Sequence, residues 1–204
     1  MSNFTVQKAI DCYTLKFIRK NIVNTAFVVL LLVIILVPDA KAFLIKGLME
    51  IGFFKPKIET PVASGMNLSG IRFKDAKGNT IDLGDLKGKV IFLNFWATWC
   101  PPCRAEMPSV NKLYKQFKAD QNVVFIFADA DGDLAKSTRF MTDRKYELPV
   151  YKVESDVPEQ IFSGSLPTTV IFDKQGRLAL HHEGAADYAD KKIVDFLNKL
   201  SRSN

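Results

Sequence analysis

VIFLNFWATWCPPC, residues 90–103, is the stretch on which the reading of this chain turns. A run of apolar and aromatic residues stops abruptly at two cysteines separated by two prolines. Such a continuous apolar run is the pattern of a central strand covered on both faces. Pro101 and Pro102 then suit the first turn of a helix, where a missing N–H goes unmissed. The sequence therefore places Cys100 where a buried strand hands over to a helix. On the residues alone, three readings of the pair compete: a structural staple, half of a metal site, or a reactive dithiol.

The first two fare poorly. A disulfide across two residues closes a very short loop and stabilises little, since the gain grows with loop length. A zinc site needs two further ligands, and no second pair of closely spaced cysteines exists. Of the 3 cysteines in the chain, the remaining one, Cys12, lies far away near the N-terminus. His181 and His182 are the only histidines, and neighbours on a strand point to opposite faces. A redox pair has a physical basis in this arrangement. Unsatisfied N–H groups and the dipole at a helix N-terminus favour a thiolate, lowering such thiols typically to about 3.5–7.5. Cys100 is then expected as the exposed attacking sulfur and Cys103, one turn along, as the more buried resolving one. Neither proline can donate to the Cys100 sulfur, so that task falls on the Cys103 N–H and on whatever approaches from other loops.

The rest of the chain sets the context. A length of 204 residues, 48% hydrophobic and 25% charged, suits one globular domain with an additional segment. The net charge of +6 is spread among acidic residues, which argues against nucleic-acid binding. Residues 22–37, IVNTAFVVLLLVIILV, carry no charge and follow Lys8, Lys16, Arg19 and Lys20. This pattern predicts a membrane anchor over 22–42, with a cytoplasmic basic segment at 1–21 and the C-terminal bulk on the exported side. Ala40-Lys41-Ala42 resembles a signal-peptidase site, but a basic lead of about twenty residues favours an uncleaved anchor. Residues 43–66 read as a tether, in which 43–54 has the composition of a short amphipathic segment. Residues 67–204 read as the folded domain.

Within that domain, alternation around the Asp75–Asn79 turn predicts a hairpin. Helical spacing predicts a helix from Pro101 to about Ala119, kinked at Pro108. Val123–Ala128 reads as a second buried strand, Leu134–Tyr146 as a helix and Val150–Val153 as a short strand. A turn follows at Pro158–Phe162, then a hairpin of Thr168–Phe172 with Arg177–His182, and a closing helix over Asp187–Leu200. Strands alternating with helices imply an α/β sandwich with a mixed central sheet flanked by helices. DADGD (129–133) has three aspartates, but its glycine is misplaced for a calcium loop, and a helix N-cap explains it better.

FWATWCPPC, Pro108, and SLPTTVIFD (165–173) together resemble the thioredoxin superfamily, over about residues 67–200. More narrowly, the chain is similar to the membrane-anchored TlpA/ResA-like thiol-disulfide oxidoreductases. The resemblance implies a thioredoxin-like fold and a redox-active disulfide, Cys100–Cys103, with no other cofactor. It implies a cis-proline at Pro167, next to Leu166, facing the dithiol. Substrate protein would lie against Trp99, Pro101, Pro102, Leu166 and Pro167. Asn94 stands where cytoplasmic thioredoxins carry a buried aspartate, and Glu106 fits the C-x-x-C-x-x-E pattern of the tethered branch. Glu106 is thereby a third catalytic candidate, exchanging protons with the dithiol. The implied activity is reduction of protein disulfides outside the cytoplasm, as in cytochrome c maturation. The implied setting is the inner membrane, with the catalytic domain facing the periplasm and a membrane thiol reductase supplying electrons. Two alternatives stay open: a thiol oxidant or isomerase, and a copper-binding thioredoxin-like protein using Cys100, Cys103 and His181. The latter usually separates its cysteines by three residues.

Overall fold

The computed structural model describes residues 21–50 and 66–203. The basic N-terminal segment with Cys12, and most of the expected tether, lie outside the described residues. The chain divides into two compact units, Met1–Lys41 and Ala42–Asn204. In the first, helix α1 covers Asn21–Leu36, and its apolar side chains stand exposed, Leu36 at 72%. A second helix, α2, covers Pro38–Glu50. Among the described residues no single helix is long and apolar enough to cross a membrane, although these two adjoining helices meet the length and composition as a bent pair.

The second unit carries a sheet of 7 strands in the order β2-β1-β5-β4-β3-β6-β7. Its strands are β1 (Arg72–Asp75), β2 (Thr80–Asp82), β3 (Val90–Trp96), β4 (Val123–Asp129), β5 (Val150–Val153), β6 (Thr168–Phe172) and β7 (Leu178–Glu183). The strands β3, β4 and β5 run parallel, whereas β6 and β7 on one side, and β1 and β2 on the other, join antiparallel. The sheet is therefore mixed, as the alternation of elements predicts. All residues of β3 are buried, which is why its sequence shows no polar alternation. Phe92 and Trp96 pack into one core with Met107, Val110 and Leu113, while Ile91, Leu93 and Phe95 pack into the other with Phe73, Val170 and Phe172. The fold is a thioredoxin-like α/β sandwich.

Three further helices complete it: α3 (Pro101–Phe117), α4 (Leu134–Asp143) and α5 (Lys191–Arg202). Two of them are shorter than their periodicity predicts, for local reasons. Lys145 adopts φ 57°, and the Tyr146 N–H reaches back to the Met141 carbonyl at 2.9 Å, so α4 closes at Asp143 in a left-handed cap. At the other helix, Asp190 accepts from the Lys192 N–H at 2.9 Å and sets the start of α5, while Asp187 is spent on the Ala189 N–H. A short 3₁₀ turn at Leu83–Leu86 follows β2, with no periodic signal for it in the sequence. The Asp82 carboxylate opens it by accepting from the Gly84 N–H at 2.8 Å. A side chain at Gly84 would meet the Ser69 backbone at 2.8 Å, so glycine is required there by close approach.

Candidate active site

The site forms where β3 ends and α3 begins. Cys100 is the N-cap of α3 and is joined to Cys103 in a disulfide, with Cα atoms 5.3 Å apart. The Cys103 N–H donates to the Cys100 sulfur at 3.2 Å, the one donor that two intervening prolines leave available in the turn. Cys100 is not the exposed sulfur its position suggests. It is 3% exposed against 0% for Cys103, because the closed disulfide folds it over the first turn and against the core beside Trp96. The exposed group is Trp99, at 55%.

Trp99 is held from an unexpected direction. Its indole N–H donates to both carboxylate oxygens of Asp131, at 2.8 and 3.0 Å. The three aspartates of DADGD thus divide three tasks. Asp129, buried at the end of β4, accepts from the Asp131 N–H at 3.2 Å and braces the loop. Burial pushes the Asp129 carboxyl above its ordinary value. Asp131 fixes the tryptophan, and Asp133 caps α4 by accepting from the Lys136 N–H at 3.0 Å. The cap is legible in the sequence. The tryptophan contact is not, because it joins residues 32 apart through the β3–β4 pairing.

The second wall comes from β6. The Leu166–Pro167 peptide bond is cis, and Pro167 is buried with Leu166 half-buried beside it. The Pro167 carbonyl is taken by the Gly184 N–H at 2.8 Å, whereas the Leu166 N–H and carbonyl have no partner among the described residues. That leaves one short edge of backbone open at the site. Pro101 and Pro102 are half-buried at its rim.

Beneath the dithiol lies a carboxyl sealed from water. Glu106, one turn past Cys103 on α3, is 0% exposed. It accepts from the Asn94 side-chain amide at 2.8 Å and from the Ala186 N–H at 3.3 Å. Burial pushes its carboxyl up to about 8, and those two hydrogen bonds, which favour the anion, offset only part of that effect. The same Asn94 nitrogen donates to the Thr169 hydroxyl at 2.9 Å. Tyr188, also 0% exposed, lies close enough for the Glu106 charge to add to the burial that raises its phenol well above the ordinary value. Thr169, Ala186 and Tyr188 escape sequence reasoning, since strand register and the return of the chain after β7 bring them in. Only the register of β3 with β6 could have exposed Thr169.

His181 is not brought to the cysteines. Among the described residues no group of three or more His, Cys, Asp or Glu side chains is spaced to hold a metal ion, so the arrangement considered for copper is not formed.

A family model described as Redoxin matches residues 59–195. Curated relatives include a thiol-disulfide oxidoreductase ResA of Bacillus cereus, 37% identical over 154 residues, covering 74% of this chain and 84% of the relative. The protein of the same name from Bacillus subtilis (strain 168) is 30% identical over 140 residues, covering 68% and 76%. Among solved structures, the pneumococcal exposed lipoprotein thioredoxin from Streptococcus pneumoniae superposes with a TM-score of 0.50 at 28% identity, covering 63% of this chain and 98% of that one. The thioredoxin domain of a thiol-disulfide oxidoreductase from Bacteroides vulgatus shares the fold, with a TM-score of 0.54 at 23% identity over 67% of this chain and 99% of that one.

Proposed function

The chain belongs to the redoxin family and is a thiol-disulfide oxidoreductase of the ResA type, and from that premise we propose that it works outside the cytoplasm as a reductant of protein disulfides. The observation that carries the reading is a Cys100 sulfur at a helix N-terminus, accepting from the Cys103 N–H, beside the cis Leu166–Pro167 bond. In the reduced protein the Cys100 thiolate attacks one sulfur of a substrate disulfide and expels the other as a thiolate. Cys103, once deprotonated, attacks the Cys100 sulfur of the mixed disulfide. The substrate leaves as a dithiol with two more electrons, and Cys100–Cys103 closes. Glu106, with its carboxyl at about 8, is a base matched to the proton of the buried Cys103 thiol.

The unpaired backbone of Leu166 suits an extended substrate segment adding as a strand, with Trp99, Pro101, Pro102 and Pro167 shaping the groove. The apolar run 22–37 and its exposed side chains support an N-terminal anchor. With positive charge ahead of that run, residues 67–204 face the exported side, in a bacterial cell the periplasm. Electrons then come from a membrane thiol reductase, and apocytochrome c before haem attachment is one class of client.

Equilibration of the full-length chain in detergent with glutathione buffers tests the direction of transfer. A potential well below about −200 mV is expected of a reductant. A value near −120 mV would make the chain an oxidant instead.

A further inference from the structure

Glu106 does not hold its donors unaided. Ser109 stands three residues further along α3, on the same face of the helix, and is half-buried. Beside these two residues the chain returns after β7, in the irregular segment that leads to α5. Ala186 and Tyr188 of that segment are both fully buried, so their N–H groups need partners. Among the described residues no backbone carbonyl accepts from either. Side chains of α3 do so instead. The Ala186 N–H donates to the Glu106 carboxylate at 3.3 Å, and the Tyr188 N–H donates to the Ser109 hydroxyl at 3.2 Å.

The serine oxygen is oriented for this contact. A hydroxyl has one hydrogen, and two carbonyls stand within its reach, Glu106 at 2.8 Å and Ala186 at 3.4 Å. The shorter contact is the back-bond that helical serines commonly make, and it leaves the oxygen lone pairs to the Tyr188 N–H. Residues 106 and 109 thus grip the segment at 186 and 188. Ala185 packs on Ala105, and the Tyr188 ring meets Phe92 edge-on at 5.4 Å. Those apolar contacts hold side chains, but neither fixes the backbone of Ala186. Its bond to Glu106, at 3.3 Å, is longer than the usual range of about 2.7–3.2 Å, so a small outward shift would break it.

We propose that Ser109 is a positioning residue for Glu106: its hydroxyl clips the segment 186–188 to α3 and so keeps the Ala186 N–H on the carboxylate. Without the clip, the carboxylate retains the Asn94 amide at 2.8 Å and loses its other donor. The apolar cover of Ala105, Ala185 and Tyr188 stays in place, so the carboxyl remains dry and holds its proton more tightly. Of the ionisable groups around it, Tyr188 senses its charge, and Cys103 is closed in the disulfide. Arg104 of α3 sets its guanidinium over the Phe140 ring, and Asp187 accepts from the Ala189 N–H at 3.0 Å. Asn94 of β3, with Thr169 of β6 behind it, is neutral. His182 of β7 lies outside this set, its Nε2 without a partner among the described residues. The functional consequence rests on the proton-exchange role proposed for Glu106, but the test does not.

The test is a carboxyl ¹³C titration of Glu106 in the oxidised full-length chain in detergent, with amide exchange read alongside. Ser109→Ala should raise the midpoint by roughly one unit, a tenfold gain in proton affinity. It should also speed exchange at both Ala186 and Tyr188 by roughly tenfold. Ser109→Thr keeps the hydroxyl and its back-bond and should restore both readings. An unmoved midpoint, with faster exchange at Tyr188 alone, would reduce Ser109 to a local pairing and overturn the proposal. A lowered midpoint would overturn it too, since it marks water reaching the carboxyl. A midpoint raised as expected, with Glu106→Gln leaving the pH profile of Cys100 alkylation unchanged, would support the positioning and overturn only the proton-exchange role.

Discussion

Glu106 makes the stability of the fold depend on pH, and the sign follows from its burial. Its carboxyl lies at about 8 in the fold against an ordinary 4.5. A raised carboxyl contributes stability that is complete below the unfolded value and is lost as pH climbs through the folded one. The difference in stability between the native chain and Glu106→Gln should therefore change between about pH 4.5 and 8 and level off above, read from urea midpoints. The native chain weakens over that window; a parallel course for the two would remove Glu106 as the titrating group. At the same scale, the recognition role proposed for Trp99 depends on Asp131, which holds its indole. Asp131→Ala frees the Trp99 indole and should raise KM for a disulfide-containing peptide roughly threefold to tenfold, the range of a partly solvated hydrogen bond to a charge. The potential of the dithiol should stay put. An unchanged KM would contradict the role given to Trp99.

The elements exist to hold that geometry. The first turn of α3 places Cys100, Cys103 and Glu106 on successive turns of one face, and Pro108 lies inside the same helix. The helix α5 covers the core beneath it through Ile193, Leu197 and Leu200. Truncating the fully buried Leu197 to alanine should cost about 2–5 kcal/mol in equilibrium unfolding. A cost under about 1 kcal/mol would mean that α5 is not seated on this core. Legibility differs between elements for a plain reason. The strand β3 and helix α3 announce themselves because apolar runs, prolines and 3.6-residue spacing are local signals. The left-handed cap at Lys145 and the 3₁₀ turn after Asp82 are fixed by hydrogen bonds that no periodicity encodes. In the same way Cys100, Cys103, Glu106 and Pro167 can be read from motifs, whereas Asp131, Thr169 and Tyr188 enter through sheet register or long-range return of the chain. The burial of Cys100, contrary to its expected exposure, is likewise set by its packing and the closed disulfide.

For the molecule as a whole, the proposed function places a division of labour between two sulfurs at its centre. In that proposal Cys100 meets the substrate and Cys103 releases it. The direct measurement is trapping. With Cys103→Ser, full-length chain incubated with a disulfide-containing substrate protein should accumulate a mixed disulfide through Cys100 that dithiothreitol dissolves, while Cys100→Ser should trap nothing. A mixed disulfide formed through Cys103, or none with either variant, would contradict the account.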